Sequence, residues 1–148
     1  MMNADEIIKT LGMEEHVEEG GYFTVTWRND RSIPQEILPG TFDGARQIAS
    51  CIYYLLKADQ ISKWHKLLAD EYWYWHCGGT LEMTLGGEGH TPVEGQKLRI
   101  GCDISNGESF QVHAPAGHWQ TTKVINGDFV LVSCVVVPGF EEEDCYFV

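Results

Sequence analysis

The sequence predicts an all-β domain, a sandwich or closed barrel, with one short helix near its N-terminal end. Two observations support this fold class. Short segments rich in aromatic and β-branched residues recur along the chain, and glycine-containing turn signals separate them at roughly even spacing. No linker, low-complexity tract or internal repeat interrupts the pattern, so we expect residues 1–148 to form a single domain.

The helix is predicted at the start of the chain. Asn3 and Glu6 have the spacing of a capping box, in which each side chain accepts a hydrogen bond from the other residue's backbone. Apolar residues then fall on one helical face, and Gly12 is suited to end the helix. No other segment has convincing helical periodicity.

The other segments are predicted as strands and loops. Tyr22–Arg28 reads YFTVTWR, which is typical of a strand. Residues 32–45 carry two prolines and two glycines and are predicted to form a long loop. Further strands are expected at residues 48–56, 71–77, 80–85, 124–125 and 129–137 and around Val112.

Three dipeptides are predicted to form turns between these strands. Gly78-Gly79 separates the strands at 71–77 and 80–85, which indicates a hairpin. Asn106-Gly107 and Asn126-Gly127 match the preference of type I′ turns, because asparagine and glycine tolerate the left-handed backbone that this turn requires.

The charge balance limits the classes of partner. The chain has 22 acidic residues against 10 Lys and Arg, for a net charge of −12, so it lacks the basic face of a nucleic-acid-binding protein. The acidic residues 141–144 disfavour an anionic membrane surface. No apolar run approaches the ~20 residues that span a bilayer. We therefore expect neither nucleic acid nor a membrane as partner.

The cysteines and the N-terminal residues indicate a cytoplasmic protein. The five cysteines are odd in number, and no pair has the C-x-x-C spacing of a zinc or redox site. Reduced, mostly buried thiols are the simplest interpretation. The N-terminal segment is acidic and does not have the pattern of a secretory signal.

Residues 62–78 contain a histidine, an acid and a glycine at a characteristic spacing, namely His65, Glu71 and Gly78. The stretch resembles the first motif of the cupin superfamily, which reads His-x-His followed by a glutamate and a glycine. Leu67 stands where that motif has its second histidine. The resemblance implies that His65 and Glu71 belong to a site inside a barrel.

A second stretch, Pro115-Ala116-Gly117, resembles the turn of the second cupin motif, and Gln120 stands where that motif has a histidine. Other matches resemble one branch of small single-domain cupins, long filed as a domain of unknown function. They are His16, residues 19–23, residues 52–56, Trp64-His65, Asp70-Glu71, Trp73, Gln111, Trp119-Gln120 and residues 138–140. The resemblance implies a double-stranded β-helix jelly roll, commonly a homodimer, and brings no settled activity.

Strand alternation predicts which side chains share the pocket. Trp73, Trp75 and Cys77 fall on the same face as Glu71. If Glu71 and Gln120 point into the barrel, the pocket combines a few polar groups with aromatic walls, as small-molecule sites commonly do. The residues predicted to contact a ligand are Tyr53, Trp73, Trp75, Gln111, His118, Trp119 and Gln120.

Three kinds of chemistry remain open for this pocket. The favoured one is metal-independent acid–base catalysis by a sugar or nucleotide-sugar isomerase or epimerase, similar to epimerases of related fold. His65 would be the base, because histidine titrates nearest to neutral pH. Glu71 would orient His65 or act as an acid, and Tyr53 or Tyr72 would be the partner acid.

The other two interpretations use the same residues differently. A non-catalytic binding or interaction module would hold its ligand through hydrogen bonds from Glu71 and Gln120. A metal-dependent, dioxygenase-like cupin would bind iron, manganese, zinc or nickel, and the resemblance implies His65, Glu71 and Gln120 as ligands. The expected cofactor is accordingly none or one divalent transition metal.

Overall fold

The computed structural model describes residues 2–148, and most of them lie in β-strands. In chain order the elements are α1 (Ala4–Leu11), β1 (Glu14–Glu15), β2 (Tyr22–Arg28), β3 (Ser32–Ile33), β4 (Arg46–Gln47), β5 (Ser50–Lys57), β6 (Ile61–Leu67), β7 (Asp70–Leu85), β8 (Lys97–Ile100), β9 (Gln111–Ala114), β10 (Trp119–Val137) and β11 (Cys145–Phe147). Single turns of 3₁₀ helix lie at Gln35–Ile37, Ile104–Asn106 and Glu142–Asp144. The predicted all-β class with one short N-terminal helix is confirmed.

Helix α1 forms as its sequence predicts. The backbone N–H of Glu6 donates to Asn3 Oδ1 at 3.0 Å, and the Asn3 N–H donates to Glu6 Oε2 at 2.8 Å. Gly12 ends the helix in the left-handed conformation, with φ of 62°. Ile7 packs with Leu55 and other apolar residues on the outer face of the sheet, so the helix covers that face.

Nine strands form one antiparallel sheet, and β3 and β4 form a separate pair. The main path runs β1-β2-β5-β10-β6-β11, while β7 pairs with β10, β8 and β9. Strand β10 has 19 residues; its first part pairs with β6 and its second part with β5, and β7 follows it over nearly its whole length. Each of the two long strands therefore runs through two parts of the sheet, one that includes β6 and one that includes β5.

Two of the three predicted turns are wrong. Strand β7 continues through Gly78-Gly79, and β10 continues through Asn126-Gly127. The two dipeptides lie opposite each other, where the register between β7 and β10 shifts. A Cβ at Gly79 would lie 1.7 Å from the Asn126 carbonyl oxygen, so glycine here permits a close backbone approach at a bend rather than a chain reversal.

The third predicted turn is present in another form. Gly107, with φ of 85°, ends the 3₁₀ turn Ile104–Asn106, but the flanking strands β8 and β9 both pair with β7 and not with each other. Strands β6, β8 and β11 were not predicted: β6 and β8 carry charged residues and lack long apolar runs, and β11 has only three residues.

The described strands divide the apolar residues between two faces. The inner cluster fills one end of the barrel, and an outer cluster lies beneath α1. The inner cluster consists of Tyr54, Leu56, Trp73, Leu81, Met83, Leu85, Ile100, Val112, Ala114, Val130, Val132 and Cys134. At the other end, where β6 and β11 pair, the interior is not filled.

A buried ion pair fixes the C-terminal segment beside that end. Arg46 Nε donates to Asp144 Oδ2, and its second terminal nitrogen donates to Asp144 Oδ1, both at 2.7 Å. Both side chains are almost fully buried, so the bidentate geometry compensates their loss of hydration.

No helix among residues 2–148 is long and apolar enough to cross a membrane.

Candidate functional site

A cavity of about 600 Å³ occupies the unfilled end of the barrel. His65 from β6 and Glu71 from β7 line it. Residues 15–19, in β1 and the turn that follows, form part of its wall, as do residues 140–143 before β11. A cavity of this volume is in the range that accepts small-molecule ligands.

His65 presents one ring nitrogen to the cavity. Its side chain is almost fully buried, and its Nδ1 lies 2.8 Å from the carbonyl oxygen of Lys63. In the neutral ring Nδ1 must be the donor to that carbonyl, which leaves Nε2 with a free lone pair. The nearest charged atom to Nε2 is Glu19 Oε1, at 3.9 Å.

Glu71 is a buried carboxyl group beside this histidine. Burial raises its pKa above the ordinary carboxyl value. The charge of His65 acts in the opposite direction, Glu19 raises the pKa of Glu71 further, and the hydrogen bond from Gln120 lowers it. Trp73 adds a smaller lowering, although its Nε1 makes no well-formed hydrogen bond. The balance favours the protonated acid more than in an exposed glutamate.

Gln120 lies directly opposite His65 in the β6–β10 register. Its Nε2 donates to Glu71 Oε2 at 2.7 Å, while its Oε1 has no partner among the described residues. The carboxyl, the amide and the imidazole predicted from the sequence are therefore neighbours. Glu71 and His65 line the cavity, and Gln120 holds Glu71 from behind.

Glu19 is a site residue that the sequence analysis did not identify. Ser62 donates a 2.6 Å hydrogen bond to its Oε1, and His16 Nε2 lies 3.5 Å from its Oε2. The backbone N–H of Lys63 donates to the Glu19 carbonyl at 2.8 Å, which ties this turn to β6. Residues 19–23 belong to the family resemblance, which is the feature of the sequence that could have identified Glu19. In this segment Gly20 has a left-handed φ of 102° and lies against the backbone of β6.

Three of the predicted ligand contacts lie outside the cavity although they are near its strands. Trp73 is in the packed inner cluster, edge-on to Tyr54 at 5.4 Å. Trp75 donates from Nε1 to the Gly79 carbonyl at 3.0 Å, and together with Gln111 it lines a separate, shallow surface groove. Their indole and amide groups do not reach His65.

His118 and Trp119 face a different loop. His118 Nδ1 lies 3.6 Å from Glu88 Oε1, and Trp119 Nε1 donates to the Gly89 carbonyl at 2.8 Å. The Lys66 ammonium group lies 4.8 Å from the Trp119 ring centroid. These contacts anchor the loop around residues 86–92 and leave neither side chain at the cavity.

The predicted tyrosine acids also point away from the cavity. Tyr53 alternates with the inward Tyr54 and therefore packs on the outer face, 5.7 Å from the His76 ring. Tyr72 stacks on His113 at 4.7 Å on the outer side of β7. Cys77, expected on the Glu71 face, lies with the outer cluster, because a register shift between β7 and β10 at this point reverses the alternation.

The donor set does not fit the transition metal that cupins usually hold. Leu67 lines the cavity where a second histidine would stand. The Gln120 NH₂ group donates to the Glu71 carboxyl, so the amide presents donor hydrogens and no lone pair to that group, and Gln120 does not line the cavity. No group of three or more His, Cys, Asp or Glu side chains within residues 2–148 is arranged to hold a metal ion.

Comparisons with known proteins agree with this architecture. A family model described as "Cupin superfamily (DUF985)" matches residues 5–148. The uncharacterized protein YML079W of Saccharomyces cerevisiae is 31% identical over 144 residues, which cover 87% of this chain and 67% of that protein.

Two solved structures have the same fold over almost the whole chain. Protein SO0799 from Shewanella oneidensis matches with a TM-score of 0.85 and 33% identity, covering 100% of this chain and 85% of that one. A hypothetical protein from Leishmania major matches with a TM-score of 0.87 and 25% identity, covering 99% and 88%. The predicted jelly roll is confirmed, and the chain belongs to the cupin superfamily, in the family described as DUF985.

Proposed function

We propose that the protein is a metal-independent proton-transfer enzyme of isomerase or epimerase type, acting on a small hydroxy-carbonyl compound such as a sugar. The observation that carries this proposal is the free Nε2 of His65 inside the cavity, with Nδ1 fixed on the Lys63 carbonyl. A ring held in this way is oriented as a general base.

The proposed step needs only the two groups that line the cavity. His65 Nε2 takes a proton from the carbon next to the substrate carbonyl, and protonated Glu71 donates its proton to the carbonyl oxygen. The resulting enediol then gives Glu71 the hydroxyl proton of the carbon that His65 deprotonated. The former carbonyl carbon receives the proton held by His65. No proton is gained or lost, and a carbonyl group has moved by one position.

The environment gives these two groups different tasks. Burial raises the pKa of Glu71 and so favours its role as a proton donor. Glu19, 3.9 Å from His65 Nε2, stabilises the imidazolium formed when His65 accepts the proton. Gln120 holds one oxygen of Glu71 in place, so that the other remains available to the substrate.

The charge of the site favours a free sugar over a nucleotide sugar. Binding a diphosphate requires basic groups, and Arg28 is the one Arg or Lys among the residues that line the cavity. Arg28 already donates to the Phe140 carbonyl at 3.1 Å and faces Glu141 at 3.7 Å. We therefore place the substrate among compounds without phosphate.

The second candidate is a binding module without turnover. The hydrogen bond from Gln120 favours it, because that bond stabilises the ionised form of Glu71 and so opposes a role as acid. Such a module would bind through Glu71 and His65 and would not exchange substrate protons.

Deuterium incorporation separates the two candidates. Glucose, fructose and glucosamine are incubated with the protein in D₂O, and loss of the proton next to the carbonyl carbon is followed by NMR. We expect exchange with at least one of them, reduced at least ~100-fold in His65→Asn and unchanged in His90→Asn, whose exposed ring lies outside the cavity. Exchange that survives His65→Asn, or binding without exchange, contradicts the enzymatic proposal.

We also propose that the protein is a homodimer. The outer edge of β2 beyond Phe23 has no strand partner within residues 2–148, and Val25 and Trp27 on this strand are about half exposed. Pairing between subunits is a common way to cover such an edge. Light scattering should give twice the mass of one chain, and Trp27→Glu should lower it.

A reducing compartment such as the cytoplasm is proposed for the protein. All five cysteines are free thiols, as is usual where glutathione keeps proteins reduced. Fractionation of cells that express the protein tests this location.

A further inference from the structure

The wall of the cavity carries much more negative than positive charge. Seven glutamates line it, against a single arginine and two histidines. The glutamates are Glu15, Glu18, Glu19, Glu71, Glu141, Glu142 and Glu143. Carboxylates gathered around a concave site of low dielectric concentrate a negative potential there, which attracts cations and repels anions.

Some of these carboxylates are already balanced by the protein. Glu141 lies 3.7 Å from Arg28, and Glu143 lies 2.8 Å from the buried guanidinium of Arg46. Glu19 accepts the Ser62 hydrogen bond and faces the two histidines. These contacts balance part of the negative charge of the three carboxylates.

The remaining carboxylates have no such partner. Glu15, Glu18 and Glu142 are exposed, and none of them forms an ion pair with a cation within residues 2–148. Glu71 at the inner end, whose raised pKa favours the protonated acid, adds a polar group and not a charge. Negative charge is therefore available at the rim of the cavity.

Aromatic rings complete the wall. Phe23, Phe140 and Phe147 all line the cavity, and the Phe147 ring centroid lies 5.9 Å from that of His65. The faces of aromatic rings attract cations, most strongly where water is excluded. Carboxylates combined with phenyl rings are suited to an organic cation, because the rings bind its apolar body and the carboxylates its charge.

An unused acceptor faces the same space. His65 is 2% exposed and lines the cavity, yet its Nε2 has no hydrogen-bond partner among the described residues. An ammonium group has three N–H donors and no acceptor, so it complements the surrounding carboxylates and brings no acceptor against this lone pair, which stays free to act as the base. A phosphate or carboxylate ligand would instead bring acceptors to a wall of acceptors.

We propose that the cavity selects a small organic cation, a ligand with a primary ammonium group on an apolar or sugar-like body. This inference rests on the proposed function in that it uses the same cavity, and it narrows the substrate class to amino-substituted compounds such as amino sugars. The charge preference is carried by the rim glutamates and the phenyl rings and does not depend on proton transfer by His65.

Three probes with the same ring and different charge test the proposal. They are 2-phenylethylamine, 2-phenylethanol and phenyl phosphate, titrated against the full chain by calorimetry at about 20 mM and about 500 mM salt. We expect the amine to bind at least ~10-fold more tightly than the alcohol, the phosphate not to bind, and added salt to weaken only the amine.

A pair of double variants locates the effect. Glu18→Gln with Glu142→Gln removes two exposed rim charges and should weaken amine binding several-fold while leaving the alcohol unchanged. Glu36→Gln with Glu94→Gln removes the same charge from exposed positions outside the cavity and should change neither. All four positions are exposed, so folding should be preserved.

Four outcomes overturn the proposal: equal affinity for amine and alcohol, tighter binding of the phosphate, no binding of the amine at millimolar concentration, or an equal effect of the two double variants. These outcomes are distinguishable from failure of the proposed function. If proton exchange depends on His65 but the amine is not preferred, the catalytic proposal stands and the charge preference falls. If the amine is preferred and no substrate exchanges protons, the reverse holds.

Discussion

The two ends of the barrel are built on the same strands and have opposite interiors. At one end Trp73, Leu81, Met83 and Ile100 are at most 1% exposed and leave no room for a ligand. At the other end His65 and its neighbours surround a cavity of about 600 Å³. Strands β7 and β10 contribute residues to both interiors, and register shifts interrupt their pairing.

The size of the inward side chains of β7 sets the boundary between the packed interior and the cavity. Along the inner face of β7, Glu71 is followed by Trp73 and, beyond the bend, by Leu81 and Met83. The large apolar residues fill the interior as soon as they begin. This fold therefore needs only part of its interior for stability. The position of the site is decided by where the large apolar side chains of the interior end.

The largest expected loss of stability comes from truncating a large side chain in the inner cluster. Trp73→Ala should lower the free energy of unfolding by ~3–5 kcal/mol, because it leaves a void in a close-packed region. Phe147→Ala, which removes a ring that already borders empty space, should cost less than ~1.5 kcal/mol. Urea denaturation measures both, and similar losses would show that the two ends are packed alike.

A smaller loss of stability is expected from a substitution at the bend where β7 and β10 approach each other closely. Gly79→Ala would place a Cβ 1.7 Å from the Asn126 carbonyl oxygen, which forces β7 and β10 apart and should cost at least ~1–3 kcal/mol. Gly40→Ala, at a position with nothing within 4 Å, is the matched control and should be close to neutral. A tolerated Gly79→Ala would mean that the bend does not need the close approach.

The smallest expected effect is a pH dependence of the free energy of unfolding that arises from Glu71 in the cavity. Because the pKa of Glu71 is raised in the folded state, the folded protein holds this proton more tightly than the unfolded chain. The contribution of Glu71 to stability is therefore greatest below the ordinary carboxyl pKa of 4.5 and declines as the pH rises through the folded-state value.

Glu71→Gln should remove that decline. The variant should match the wild type near ~pH 4 and exceed its stability at pH values above the folded-state pKa of Glu71, where the wild type carries a buried charge. Urea midpoints measured across this range test the sign, with the exposed Glu94→Gln as control. A variant that is less stable at every pH would mean that the carboxylate is stabilised in the fold.

The core of the site was predictable from a short-range spacing of residues. His65 and Glu71 are six positions apart on β6 and β7, and because β6 was not predicted as a strand, their placement inside the barrel rested on the family resemblance. Their spacing carried that resemblance. By contrast, Glu19 reaches the site through a hydrogen bond from Lys63 N–H to its backbone carbonyl, a tertiary contact that no local pattern records.

The errors have a common physical origin. A glycine dipeptide permits either a tight turn or a close crossing of two strands, and only the register across β7 and β10 decides between them. The same register shift sends Cys77 to the outer face. Trp73 lies in the packed inner cluster and not at the cavity, a distinction that strand alternation does not make, because a tryptophan facing a core and one facing a cavity have the same sequence pattern.

The bond between Arg46 and Asp144 has a consequence for the order of folding. It closes a loop of 98 positions and fixes residues 141–143, which belong to the cavity wall. The pairing of β5, β7 and β10 does not involve this bond, whereas part of the cavity wall is held by it. The packed end of the barrel can therefore form without the bond, and the cavity wall is completed only when β11 docks beside β6.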